Sequence, residues 1–224
     1  MTSRKRRADG EVSRSKILDA ASEIAGERGY EGTSIGRVSA RAGLPASSIY
    51  WYFADKDKLI AAVIERSFAR WLAGAESSLP DHGGLSRPET VAAGLRVIAE
   101  SLLDAPDFLR LGLMLVLERR PEEPTARQLF LQVRDTARER LATFYRDVFP
   151  DLTDAQIRQL AAFTMAAVDG LFIDHEGDHG RAGDTDGAAA LLDSFDLLVA
   201  AVLGAADHLA AGAVTATDAG SATN

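Results

Sequence analysis

The sequence predicts an all-α protein of about nine helices: a three-helix head that contains a helix-turn-helix, followed by a larger helical domain. Three observations lead there. Apolar residues recur at helical spacing along most of the chain. Glycines, prolines and capping residues interrupt those runs where helices should start and stop. No run alternates with the period of a strand, and no internal repeat is present. At 224 residues, 46% hydrophobic and 26% charged, the chain is long and apolar enough for a soluble core in one large or two small domains.

Composition excludes several functions. There is no cysteine, hence no disulfide, thiolate metal site or cysteine nucleophile. Met1–Arg7 is basic, but Ala8-Asp9-Gly10-Glu11 follows it instead of the apolar region of a signal peptide. No apolar run approaches the length of a membrane span, so a cytoplasmic protein without a membrane partner is expected. The formal net charge of −8 is unevenly spread. Residues 1–58 carry 11 Lys+Arg against 8 Asp+Glu, and the remainder carries 14 against 25. All four lysines (Lys5, Lys16, Lys56, Lys58) lie in the first part. The head is the basic part, as a nucleic-acid reader requires.

Residues 1–12 hold the run Arg4-Lys5-Arg6-Arg7 and are expected to be a disordered basic arm, either touching phosphates and the minor groove or simply solvated. The first helix should run from about Ser13 to Arg28, with Ile17, Leu18, Ala21, Ile24 and Ala25 as its buried stripe. Gly29 ends it and Tyr30 packs back. Ser34 can cap a second helix whose apolar side is Ile35, Val38 and Ala42. Gly43 supplies the turn and Pro45 fits the first turn of a third helix. That helix directs Ile49 and Phe53 inward and Ala46, Ser47, Ser48 and Tyr50 outward. Small and hydroxylic residues at the N-terminus of a short helix suit a major groove, where they meet phosphates, base edges and thymine methyls. Plain core packing accounts for Phe53 and also for Trp51.

The combination of Thr33-Ser34, Ala42-Gly43-Leu44, Ile49-Tyr50-x-x-Phe53 and Lys56-x-x-Leu59 resembles the DNA-binding signature of the TetR family of bacterial transcriptional regulators. The resemblance covers the first quarter of the chain strongly and the rest only through helix count. It implies a DNA-binding domain over 1–54 and an effector-binding and dimerisation domain over 55–211; by its small, polar composition 212–224 is expected to be a disordered tail. It further implies that Arg14, near the start of the first helix, and Thr33, Ser34 and Arg37 meet the DNA backbone. Ala46, Ser47 and Ser48 would lie at the groove floor. Tyr50 and Tyr52 would give hydroxyls to phosphates, although many members have histidine where Tyr52 stands. Lys56 would add a cation to the anion-favouring N-terminus of the fourth helix.

The fourth helix, about Lys56–Ser78, carries a double apolar row (Leu59, Val63, Trp71; Ile60, Ile64, Phe68, Leu72) too long for the head alone. The family makes it the lever between effector and DNA. Leu79–Ser86 reads as a loop, and Ser86-Arg87-Pro88-Glu89 as a capping box opening the fifth helix. Phe108–Leu117 is apolar nearly all round and should be buried; Glu118-Arg119-Arg120-Pro121 ends it. The seventh helix runs from near Pro124 to Phe149. Thr153-Asp154-Ala155-Gln156 is a second capping box. Asp174–Asp186 reads as an acidic, glycine-rich loop. Its Asp174, His175, Glu176, Asp178 and His179 are competent metal ligands, but a solvated loop is the better reading and no metal is expected. The ninth helix should cover about Gly187–Ala211.

Small residues line the eighth and ninth helices: Ala161, Ala162, Ala166, Ala167 and Gly170, then Ala200, Ala201, Gly204 and Ala205. They point to a homodimer through a four-helix bundle, unless they only reflect helix propensity. Paired heads then imply a palindromic double-stranded operator. For a small lipophilic or aromatic effector the candidate lining is Phe108, Leu111, Met114, Leu115, Phe130, Phe144, Phe163 and Phe172, with Arg110, Thr164 and Asp169 as polar anchors. Ordinary core packing explains the same apolar set. No nucleophile–base constellation or phosphate loop appears and no cofactor is implied, so an enzyme is not expected. The expected function is a DNA-binding transcriptional regulator, more readily a repressor. The alternative is a helical small-molecule binder or enzyme that retains a vestigial head.

Overall fold

The computed structural model describes residues 2–78, 84–104, 106–117, 125–179 and 185–221. Among them it contains only helices: α1 (Thr2–Gly32), α2 (Ile35–Ala42), α3 (Ala46–Tyr52), α4 (Lys56–Ser78), α5 (Arg87–Asp104), α6 (Pro106–Leu117), α7 (Thr125–Val148), α8 (Asp154–His179) and α9 (Thr185–Ser221). They form two compact units. The first holds residues 1–73 and 105–133, the second residues 74–104 and 134–224.

The first unit is built on α1. Ile17, Leu18, Ala21, Ile24 and Ala25 are fully or almost fully buried, as their spacing predicts. Also buried in this unit are Val38 of α2, Ile49 of α3, the α3 cap Phe53, and Leu59, Ile60, Val63 and Ile64 of α4. Each such side chain contributes roughly 1.5–3 kcal/mol of burial. Ser34 caps α2, its hydroxyl accepting from the Arg37 amide, and Gly43 ends α2 in the left-handed region at φ 65°. Pro45 is the N-cap of α3, one position earlier than expected. The α1 helix breaks at Gly29, where φ is 68° and ψ −176°. A side chain there would also meet the Met114 methyl of α6, 2.5 Å from the position of a Cβ. That contact lies where α6 packs along α1.

In the second unit α9 lies against α5 and α8. Its buried residues Leu191, Phe195, Leu198, Val202 and Ala206 fall at helical spacing and meet Ile157, Leu160, Val168 and Phe172 of α8 and Val91, Leu95 and Leu102 of α5 in one core. Both capping boxes form: Ser86 donates from its amide (2.8 Å) and hydroxyl (2.6 Å) to Glu89, and Thr153 does the same to Gln156 (2.8 Å each). Tyr145 is buried, which pushes its phenol pKa up, and it donates to the Thr164 hydroxyl at 2.9 Å, while Thr164 donates to the Leu160 carbonyl.

Several expectations are corrected. The basic arm is not disordered: α1 is helical from Thr2, because no residue between Thr2 and Ser13 breaks a helix and a single glycine, Gly10, is tolerated. Asp174–His179 is the end of α8 rather than a loop, and residues 180–184 lie outside the described residues. The ninth helix continues to Ser221, since the alanine-rich Ala211–Ser221 offers no proline to stop it. Residues 79–83 of the expected loop, 118–121 and 222–224 also lie outside the described residues. By length and composition Asp186–Gly212 of α9 is sufficient to cross a membrane, contrary to the expectation that no run is. It nevertheless carries Asp193, Asp196 and Asp207 on its exposed side and packs its other side into the second unit.

Gly112 of α6 shows how closely the first unit is fitted. An added Cβ would fall 1.9 Å from a ring carbon of Phe130, which is fully buried. Gly112→Ala is expected to destabilise the protein by roughly 1–3 kcal/mol, read as a lower urea midpoint at unchanged slope.

Candidate nucleic-acid interface

The loop between α1 and α2 and the short α3 set the geometry of the head. Thr33 is 1% exposed, and its hydroxyl donates 2.8 Å to the carbonyl of Gly29, the residue whose positive φ turns the chain. Thr33 therefore closes the loop and leaves no hydroxyl for a phosphate, a correction to its expected role. Ser34 is exposed, with its oxygen on the Arg37 amide at 3.3 Å. Arg37 is exposed and its guanidinium donates to the Gly32 carbonyl, which holds the cation beside the loop. Arg14 is exposed on α1 with its guanidinium carbon 5.5 Å from the centre of the Phe53 ring.

On α3, Ile49 is fully buried and the cap residue Phe53 is 5% exposed. One turn of helix separates them, so the other side of α3 faces water. Ser47 is exposed, Ala46 and Ser48 are half-buried, and Tyr50 is 56% exposed. Trp51 is 84% exposed, the most open large apolar side chain among the described residues. This corrects its expected place in the core and adds it to the outward set. The signal was available: residue i+2 lies about 200° round a helix from residue i, so a buried Ile49 sends Trp51 outward.

Tyr52 and Lys56 are more committed. The Tyr52 hydroxyl donates 3.0 Å to the Gly10 carbonyl of α1 and is half-buried. Lys56 donates to the Tyr30 carbonyl (3.2 Å) and to Glu31 (3.4 Å), with its ammonium 4.2 Å from the centre of the Tyr30 ring. Arg41, which the sequence did not single out, braces α2 on α1 through Glu23 (2.7 Å) and Glu27 (3.3 Å), and its hydrogen bonds to these two carboxylates hold its pKa above the ordinary value.

The candidate effector residues divide between the two units. In the first, Phe108 and Phe130 pack ring to ring at 5.5 Å, and Phe108 meets Phe68 of α4 at 5.8 Å. Leu111 and Leu115 are buried, while Met114 is 41% exposed. Phe68 stacks on Trp71 at 5.8 Å, and the Trp71 indole N–H is buried without a hydrogen-bond partner. Arg110 pairs with Asp107 at 3.1 Å. In the second, Phe144 packs on Tyr145, Phe172 is buried, and Thr164 is engaged as described above. Asp169 receives a two-pronged pair from Arg134, with one hydrogen bond at 2.8 Å. Phe163 is 44% exposed on α8 and is not part of that core. Among the described residues no cluster of three or more metal-ligating side chains is found.

Known proteins supply the context. Residues 17–63 match the model of the bacterial regulatory proteins of the tetR family. The HTH-type transcriptional regulator AcrR of Shigella flexneri is 34% identical over 64 residues, which is 29% of this chain and 30% of that relative's length. A transcriptional regulator from Rhodococcus sp. RHA1 has a similar fold (TM-score 0.65, 19% identity, 85% of this chain and 96% of that one). So does the fatty acid degradation regulator FadR of Bacillus halodurans (TM-score 0.65, 15% identity, 83% and 93%). The sequence likeness thus lies in the head, and the likeness over the whole chain is one of fold.

Trp51 gives the interface its own reporter, because the chain has 2 tryptophans. With Trp71→Phe, saturating duplex DNA is expected to quench or shift Trp51 emission. Unchanged emission under conditions where DNA is bound would put Trp51 outside the contacted surface.

Proposed function

We propose, from the match of residues 17–63 to the model of the bacterial tetR family, that the chain is a DNA-binding transcriptional repressor of that family, released from a palindromic operator by a small lipophilic or aromatic effector. The observation that carries the reading is the outward face of α3. Ser47, Tyr50 and Trp51 stand free on a helix held from behind by Ile49 and Phe53. Such a helix enters a major groove without rearrangement. Ala46 and Ser48 flank its base-reading end. Ser34, Arg37 and Arg14 surround it as phosphate contacts, and Lys56 and Tyr52 stand beside them.

The proposed division of labour is a reading head over 1–54 and effector binding and dimerisation over 55–211. The homodimer uses α8 and α9. An exposed small and apolar face supports this: Ala162, Phe163, Ala166, Gly170 and Ile173 on α8, with Leu197 (75% exposed), Ala200, Ala201 and Gly204 on α9. It also accounts for the apolarity of α9 in a protein we read as cytoplasmic and without enzymatic activity. The aromatic chain Phe130–Phe108–Phe68–Trp71 and the unpartnered indole N–H support an effector that is apolar and aromatic and carries one acceptor. An effector preferring a different head spacing lowers operator affinity by shifting the population of states.

Binding to DNA from immediately upstream of its own gene, with excess random duplex and across a salt series, tests the reading. Specific binding should survive competitor, and the joint Arg37→Ala and Tyr50→Ala variant should lose it. Complete removal by competitor, with ligand binding intact, would favour the helical small-molecule binder with a vestigial head. A screen in which only polar, charged compounds release the DNA would overturn the effector assignment. Leu197→Glu, which sets a carboxylate in the small-residue face, is expected to yield monomers in sedimentation analysis; a retained dimer would put the interface elsewhere.

A further inference from the structure

Helix α7 begins at Thr125, and the residue before it is Pro124, which has no side-chain acceptor. Its first amides nevertheless have partners, supplied from α4. One carboxylate oxygen of Asp57 accepts from the Thr125 amide at 2.8 Å and the other from the Ala126 amide at 3.1 Å. The neighbouring Lys58 ammonium donates to the Thr125 hydroxyl at 3.0 Å. An N-cap is ordinarily made by the residue adjoining the helix; this one comes from 68 residues away. Two amides offered side by side need two acceptor oxygens, which a carboxylate has and an asparagine does not.

The same turn of α4 is tied in two further directions. Asp55 caps α4, accepting from the Lys58 amide at 2.8 Å. Lys56 donates to the Tyr30 carbonyl at the end of α1. Only Phe53, Ala54 and Asp55 separate α3 from α4, and Phe53 is itself the α3 cap. A link so short transmits any shift of the first turn of α4 to α3. Four consecutive residues, Asp55–Lys58, thus bind the onset of α4 to itself, to α1 and to α7. The α7 helix runs on past Val133 into the second unit.

We propose that Asp57 is a positioning residue for DNA reading: its carboxylate, seated on the first two amides of α7, fixes the first turn of α4 and through it the angle at which α3 meets the groove. This rests on the reading of the chain as a DNA-binding regulator. Asp57 touches no DNA in this account. It makes α7 a determinant of sequence selection and Asp57 the joint through which α7 acts.

The experiment compares the full chain with Asp57→Ala and Asp57→Asn by amide hydrogen exchange and by competition between the protected upstream duplex and random duplex. Asp57→Ala is expected to speed exchange at the Thr125 and Ala126 amides by roughly 2- to 30-fold, the factor that losing a helix cap allows. Asp57→Asn keeps one acceptor and should fall between. The ratio of specific to random affinity should drop by a similar factor, while random-duplex affinity and its salt slope stay unchanged because no phosphate contact is removed. Unchanged exchange at both amides overturns the clamp. Faster exchange with an unchanged affinity ratio, or an equal fall in specific and random binding, makes it a purely structural contact and also overturns the proposal. A wild-type protein that selects no sequence removes the regulator reading and the proposal with it. That result differs from failure of the clamp, because the exchange measurement still reports on the two amides. Should Asp57→Ala not fold, the asparagine variant alone decides the same comparisons.

Discussion

A helix of seven residues has no stability of its own in water, and α3 is such a helix. It exists because Ile49 and Phe53 are buried, with α3 packed on α1 and α2. The rest of the head follows from that burial. The face of α3 opposite Ile49 is left to solvent, which puts Ser47, Tyr50 and Trp51 outward. The loop before α2 has to bring the chain back, and Gly29 and Thr33 close it with one hydrogen bond. Gly43 then turns the chain between α2 and α3. The charged residues around this core (Arg14, Arg37, Arg41, Lys56) each find a partner on the first unit's own surface, so the cations are oriented before any polyanion arrives.

The second unit is organised by a different constraint. Its helices α8 and α9 are long and rich in alanine, and each has one buried row and one exposed row. The buried row closes the unit's own core. The exposed side mixes small residues such as Ala162, Ala166, Gly170, Ala200 and Gly204 with the larger Phe163, Ile173 and Leu197 and with Asp193, Asp196 and Asp207. Two polar pairs are satisfied inside the unit, Tyr145 with Thr164 and Arg134 with Asp169, while the buried Arg138 Nε has no hydrogen-bond partner. In the first unit the indole of Trp71 is left without a partner.

Features with local causes were legible in the sequence. The buried stripe of α1, the Ser34 cap, the Gly43 turn, both capping boxes and the inward pair on α3 all depend on residues within four positions of one another, and the structure contains them. What was not legible depends on distant partners. A threonine beside a serine at a helix start looks like a phosphate contact; only the carbonyl of Gly29, turned by its positive φ, makes Thr33 a structural residue. No pattern in the sequence announces that Asp57 caps a helix beginning at residue 125. The apolar residues taken as one effector lining divide between two units, because periodicity identifies a buried face but not the core that receives it. Trp51 was legible and misread: four successive aromatics invite a core assignment, although a short helix with Ile49 and Phe53 inside has no room for them all.

The distribution of lysines has a consequence for the chemistry of the chain. Every primary amine on a side chain lies at or before Lys58, and every later cation is an arginine. Guanidinium groups keep their charge and do not acylate at neutral pH. Acetylation or succinylation of side-chain amines therefore removes positive charge only at or before Lys58, reductive methylation keeps that charge, and modification of Lys58 also disturbs its bond to the Thr125 hydroxyl of α7. Of the amines whose side chains are described, Lys16 stands open, Lys58 is exposed but donates to the Thr125 hydroxyl, and Lys56 is drawn against the Tyr30 ring. Amine labelling would accordingly sort the chain into fast, slow and inert regions without any engineered tag.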